Sequence, residues 1–215
     1  MYPQTFYAQT RSDLTTRPAL HGPHETDTVI IGGGLAGLTT ALELAREGEA
    51  VTVLESESIG FGASGRNGGI VSPTFACGSD AITARVGPDK ARALHKLTIE
   101  GVERLRSHIQ TLNIAQAEPI AGLLNLRRFD QVHDLHAYAE DYARDYGYHF
   151  TYLDRAAISE RLATGRYLHG LADPQAFHIH PLNYLRALAR EIERLGGRIF
   201  EATPAIGAEL GTQKV

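Results

Sequence analysis

Three glycines, Gly32, Gly34 and Gly37, are spaced as G-x-G-x-x-G within Gly32-Gly33-Gly34-Leu35-Ala36-Gly37. That spacing suits the phosphates of a dinucleotide. The first glycine permits a tight turn, the second lets the backbone approach a pyrophosphate, and the third lets a helix pack closely on a strand. Free N–H groups at the start of such a helix, with the positive end of its dipole, attract phosphate. Glu55 stands 18 residues beyond Gly37. A carboxylate there accepts hydrogen bonds from ribose hydroxyls and repels a 2′-phosphate, which disfavours NADP.

The fingerprint alone does not separate FAD from NAD. The next segment does, Gly60-Phe61-Gly62-Ala63-Ser64-Gly65-Arg66-Asn67-Gly68-Gly69, with five glycines in ten residues. So little side-chain bulk lets a planar ring lie against backbone, while a few polar groups address its edge. Arg66 suits a pyrophosphate or a flavin carbonyl, and Asn67 a flavin edge. A simple NAD-binding domain has no evident use for such a loop, so the reading moves to FAD.

These residues need particular elements to hold them. Thr28-Val29-Ile30-Ile31 is a β-branched run of the kind found in strands buried on both faces. Leu35 to Glu47 carries Leu38, Ala41, Leu42 and Ala45 at helical spacing and ends at Gly48. Ala50 to Leu54 is a second buried strand, closed by Glu55. Together they form a βαβ unit. Residues 91–112 read as a long helix with Leu94, Leu97, Val102, Leu105, Ile109 and Leu112 on one stripe. Ile120 to Leu126 and Tyr148 to Leu153 read as strands, with Asp130 and Asp154 as helix caps. Pro181 opens a helix with Leu182, Leu185, Leu188, Ile192 and Leu195 on one side, ended by Gly196-Gly197; a strand from Arg198 to Ala202 follows.

The fold class expected is α/β: a GxGxxG-type FAD-binding domain with a parallel sheet, plus part of an inserted α+β substrate domain. Residues 1–25 are an irregular arm broken by Pro3, Pro18, Gly22 and Pro23. The FAD-binding domain takes 26–115, the substrate domain 116–177, and the FAD-binding domain resumes over 178–215.

The run Thr28 to Leu38, the Val53-Leu54-Glu55 tripeptide and the stretch Gly62 to Gly69 resemble the D-amino-acid-oxidase-like FAD oxidoreductases. Within them the sequence is most similar to the gamma-glutamylputrescine oxidoreductases, whose N-terminal arm is also tyrosine-rich, as Tyr2 to Ala8 is here. The resemblance continues through Ala176-Phe177-His178-Ile179-His180-Pro181-Leu182. It implies oxidation of a C–N bond: hydride passes from the amine-bearing carbon to flavin N5, the imine hydrolyses, and dioxygen reoxidises the flavin to give peroxide. It also sets Ser64, Arg66, Asn67, Gly68 and Gly69 around the flavin or its ribityl chain. The partners implied are a small amine or amino acid and O2 or another acceptor. A dehydrogenase of the same fold that passes electrons to a carrier or quinone is the rival. Family members run to about twice this length, so the chain reads as an N-terminal half. The expectation is that alone it binds FAD poorly and is not catalytic, and that a C-terminal half, in the same or a separate chain, completes it. A further strand is expected near Thr212 to Val215.

The bulk properties fit a globular domain or slightly more: 215 residues, 43% hydrophobic and 21% charged. A net charge of -4 gives no footprint for nucleic acid or an anionic membrane. One cysteine, Cys77, excludes an internal disulfide and any multi-cysteine metal site. No secretory signal and no run of about 18 apolar residues is present, so a cytoplasmic protein without a membrane span is expected. No metal site is expected: His133 and His136 lack a third ligand and read as a solvated face. Cys77 reads as a small buried thiol, His180 as a packing or capping residue, and Arg127-Arg128 as a solvated strand end. Tyr138, Tyr142 and Tyr146 read as core or interface.

Overall fold

The structure is a computed structural model and describes residues 2–209. In chain order the elements are α1 (Phe6–Thr10), β1 (Thr28–Ile31), α2 (Leu35–Arg46), β2 (Val51–Leu54), β3 (Ile70–Val71), α3 (Ser79–Val86) and α4 (Pro88–Thr111). They continue with β4 (Ile120–Arg127), α5 (Val132–Tyr146), β5 (Thr151–Asp154), α6 (Arg155–Ser159), β6 (His169–His178), α7 (Pro181–Arg194) and β7 (Arg198–Phe200). The chain divides into two compact units.

The first unit comprises the described parts of 1–69, 112–117 and 180–215. Its sheet is parallel, in the order β1-β2-β7. Thr28 pairs with Val51, Ile31 with Leu54, and Leu54 with Phe200. Val51, Thr52 and Val53 are buried, as a central parallel strand requires. Helix α2 buries Leu38, Ala41, Leu42 and Ala45. It packs on α7, which buries Leu182, Leu185, Leu188 and Ile192. At roughly 1.5–3 kcal/mol for each buried Leu or Ile, this stripe is the main force holding α7 in place. His180 Nδ1 accepts from the Asn183 N–H at 3.1 Å and caps the helix, with Pro181 in its first turn. The arm is not wholly irregular. Thr5 accepts from the Ala8 N–H and starts the short helix α1, despite the flanking proline and glycine breaks.

The second unit comprises 70–111 and 118–179. Its sheet is antiparallel, in the order β3-β6-β4, with β5 also paired to β6. Here the division departs from the boundaries read in the sequence, since 70–111 joins the second unit. The reason is pairing: Ile70 and Val71 lie antiparallel to His178 and Phe177. Helix α4 contacts α3 and α5, and its His95 ring stacks on Tyr146 at 3.8 Å between centroids. Its buried stripe is Ala91, His95, Val102, His108 and Ile109, whereas Leu97 is 59% exposed. Asp130 is not a cap; it pairs with His169 Nε2 at 3.2 Å, and α5 starts after Gln131 without a side-chain cap. Asp154 does cap α6, accepting from the Ala157 N–H at 2.8 Å. Strand β6 is absent from the sequence reading because Asp173-Pro174 interrupts its apolar pattern. The further strand expected near Thr212 lies outside the described residues.

Candidate cofactor site

Strand β1 ends at Ile31 and the chain turns at Gly32, whose φ of 102° is left-handed and suits glycine alone. Its N–H donates to Leu54 O at 2.8 Å, which fixes the turn against the end of β2. A Cβ on Gly37 would overlap the Gly32 carbonyl oxygen and lie 3.2 Å from Ile30 Cγ2. The third glycine is therefore the close contact between helix and strand. Gly34 is the N-cap of α2.

The second glycine segment meets the first. Gly60 N–H donates to Gly33 O at 2.9 Å, and Leu35 N–H donates to Ser64 Oγ at 3.0 Å. A Cβ on Gly34 would stand 3.1 Å from Ser64 Oγ. Within the second segment the approach is closer still, since a Cβ on Gly65 would overlap the Gly60 carbonyl oxygen. Ser64 thus sits at the helix N-terminus, while the N–H groups of Gly34, Ala36 and Gly37 have no protein acceptor among the described residues.

Glu55 is half-buried beside the turn. Its Oε2 accepts from the Gly33 N–H at 2.6 Å and its Oε1 from the Glu57 N–H at 2.8 Å. Oε1 also accepts from Ser56 Oγ at 3.3 Å, so Oε2 is the oxygen that keeps a lone pair for a further donor. Arg66 and Asn67 have local partners. Arg66 Nε donates to Gly62 O at 3.3 Å, with its guanidinium 5.6 Å from the Phe61 ring centre. Asn67 Nδ2 donates to Ala63 O and Ser64 O, and its Oδ1 accepts from the Gly69 N–H at 2.7 Å. Gly68 is exposed and Gly69 buried, with φ at 70°. Gly32 to Gly37, Glu55 and Ser64 are therefore gathered in one place, while Arg66 to Gly69 form the far part of the same loop.

This arrangement fits a dinucleotide. A glycine cradle with unengaged N–H groups at a helix N-terminus suits pyrophosphate, and the adjoining carboxylate suits ribose. The sequence reading missed Ile59, whose Cδ1 would lie 2.6 Å from a Cβ on Gly33. It also missed the buried polar residues behind it, Arg186 and Glu201. Arg186 offered a signal, a charge on the leucine face of α7.

The second unit has a cavity of about 250 Å³ lined by Arg127, Tyr138, Tyr142, Tyr148, Phe150 and Asp173, among others. Tyr148 donates to Asp173 Oδ1 at 2.7 Å. Burial, and that bond to a carboxylate, push the Tyr148 phenol above its ordinary value. Arg127 is thus a cavity residue as well as a strand end. Cys77 is exposed, not buried. Among the described residues, no group of three or more His, Cys, Asp or Glu could hold a metal ion, and no helix is long and apolar enough to cross a membrane.

Residues 27–215 match the family model described as FAD dependent oxidoreductase, DAO. The chain belongs to the DAO family. FAD is the cofactor of this family. Gamma-glutamylputrescine oxidoreductase of Escherichia coli K12 is 35% identical over 197 residues, covering 92% of this chain and 46% of that protein. A probable oxidoreductase, OrdL, of Haemophilus influenzae is 35% identical over 208 residues, covering 94% and 47%. The chain thus spans about half the length of these curated relatives. The fold is shared with the L-amino acid deaminase of Proteus myxofaciens, solved with anthranilate, at a TM-score of 0.72, 20% identity, and coverage of 94% and 44%.

Proposed function

We propose that the protein binds FAD at the junction of the two glycine segments and serves in oxidising the C–N bond of an amine or amino acid. Gamma-glutamylputrescine is the first substrate to test. One observation carries the cofactor reading: the Gly33–Gly60 and Leu35–Ser64 hydrogen bonds join the fingerprint and the second loop beside unengaged helix N–H groups. In this reading the N–H groups of Gly34, Ala36 and Gly37 hold the pyrophosphate, Leu35 borders it with its N–H bonded to Ser64 Oγ, and Gly32 and Gly33 shape the turn beneath it. Glu55 takes the ribose hydroxyls. Ser64, Arg66, Asn67, Gly68 and Gly69 border the flavin and its ribityl chain. FAD, when bound, supplies the hydride acceptor at N5. The residues of this chain bind and orient it, and the glycines keep side chains out of the way of its rings. The substrate reading is supported by the 35% identity to the E. coli enzyme over nearly the whole chain.

The test is flavin uptake and turnover by the intact gene product carrying these residues. Yellow flavin retained through gel filtration and peroxide formed in air on adding gamma-glutamylputrescine are the expected results. Flavin bleached by substrate under nitrogen, but no peroxide in air, would favour a dehydrogenase with another acceptor. Failure to take up FAD at all would refute the cofactor reading.

A further inference from the structure

The N-terminal arm lies outside the family match, which begins at residue 27, yet it reaches the cofactor loop. Tyr2 donates its hydroxyl proton to Ile59 O at 2.6 Å and accepts from Arg186 Nη1 at 2.8 Å. Glu201 Oε1 accepts from the Ile59 N–H at 2.8 Å, and its Oε2 accepts from the Arg17 N–H at 3.1 Å. Arg17 in turn makes a bidentate pair with Glu193 at 2.7 and 2.8 Å. Arg186 also donates to Thr15 O and pairs with Asp13 at 3.5 Å. Arg186 and Arg17, with side chains 2% exposed, and Asp13 and Glu201 are all buried.

The geometry points to a role for this network beyond holding the arm down. Ile59 is fully buried, immediately precedes Gly60, and packs beneath Gly33. Both its backbone polar groups are bonded to side chains, the N–H to Glu201 and the carbonyl to Tyr2. Ile59 is therefore the joint between the two glycine segments, and the arm holds one side of it. We infer that Tyr2 is a positioning residue of the FAD site: through Ile59 it sets the height of the Gly60 loop against the Gly33 turn. This rests on the cofactor reading above. Tyr2 touches no reacting atom; it acts through backbone.

Tyr2→Phe is the informative change, because it keeps the ring and removes only the hydroxyl. FAD titrated into the apo form of the intact gene product, followed by quenching of flavin fluorescence, should bind about tenfold more weakly, equivalent to about 1.4 kcal/mol. By linkage, FAD added to the unaltered protein should slow amide exchange in the peptide covering residues 2–11 as well as in 55–69. That second measurement needs no variant and stands if Tyr2→Phe misfolds. Equal affinity in Tyr2→Phe, or exchange slowed in 55–69 with none in 2–11, would overturn the inference and leave the cofactor reading intact. No FAD binding by the unaltered protein would overturn both.

Discussion

Gly37 shows how one hydrogen atom decides a site. In an exposed helix interior, glycine to alanine gains about 1 kcal/mol of helix propensity. At Gly37 the added methyl would overlap the Gly32 carbonyl oxygen, a backbone atom that cannot swing aside, and would lie 3.2 Å from Ile30 Cγ2. Overpacking of that kind costs about 1–3 kcal/mol, so the clash wins. Gly37→Ala is expected to lower the melting temperature and to abolish flavin retention together, checked by calorimetry and absorbance at the flavin band. His95 makes a different prediction. Burial between α4 and the tyrosines of α5 lowers its pKa below the ordinary 6.5, and its Nε2 has no hydrogen-bond partner among the described residues. The unfolded chain therefore binds a proton that the folded one resists, and stability falls as pH drops below 6.5. Denaturant midpoints at pH 7.5 and pH 5.5 should differ in that direction, and His95→Leu should remove part of the difference. An unchanged pH slope in the variant would count against this assignment.

Among the elements, the loop after β2, proposed to border the flavin, is largely exposed between its buried glycines. Asn67 does in side-chain bonds what a helix would do in backbone bonds, joining Ala63, Ser64 and Gly69. Asn67 is exposed. Asn67→Ala should therefore leave the unfolding midpoint within about 0.5 kcal/mol of the parent while weakening FAD binding several-fold in a fluorescence titration. The elements around this loop were legible in the sequence because their signals are local: the β-branched run of β1, the apolar stripes of α2 and α7, and the glycine spacing between; the burial of β1 on both faces was misread, since Val29 and Ile31 are exposed. What was not legible depends on residues far apart in the chain. Asp130 has the form of a cap but pairs with His169; β6 hides behind Asp173-Pro174; and Leu97 fits the apolar stripe of α4 yet faces solvent. Tyr2, Arg186 and Glu201 gave no joint signal, since their meeting at Ile59 requires the tertiary structure.

At the scale of the molecule, the residues proposed to hold the cofactor, Gly32 to Gly37, Glu55 and Ser64 to Gly69, all belong to the first unit. FAD at a hundredfold excess over its Kd should stabilise that unit by about 2.7 kcal/mol. Amide exchange should slow across 28–69 and 180–200, with little change in 132–178. Uniform slowing across both units would show that they unfold together.

Strand β1 stands at the rim of the parallel sheet, with Val29 at 53% and Ile31 at 68% exposure. An open strand rim with apolar side chains is a template for pairing with a second chain. The consequence concerns handling: these 215 residues, expressed alone, should precipitate with concentration, and turbidity should begin near the temperature at which β1 frays. A lysine in place of Val29, clear of the glycine turn, should postpone that onset without altering the far-ultraviolet dichroism, the usual effect of a gatekeeping charge on a strand rim.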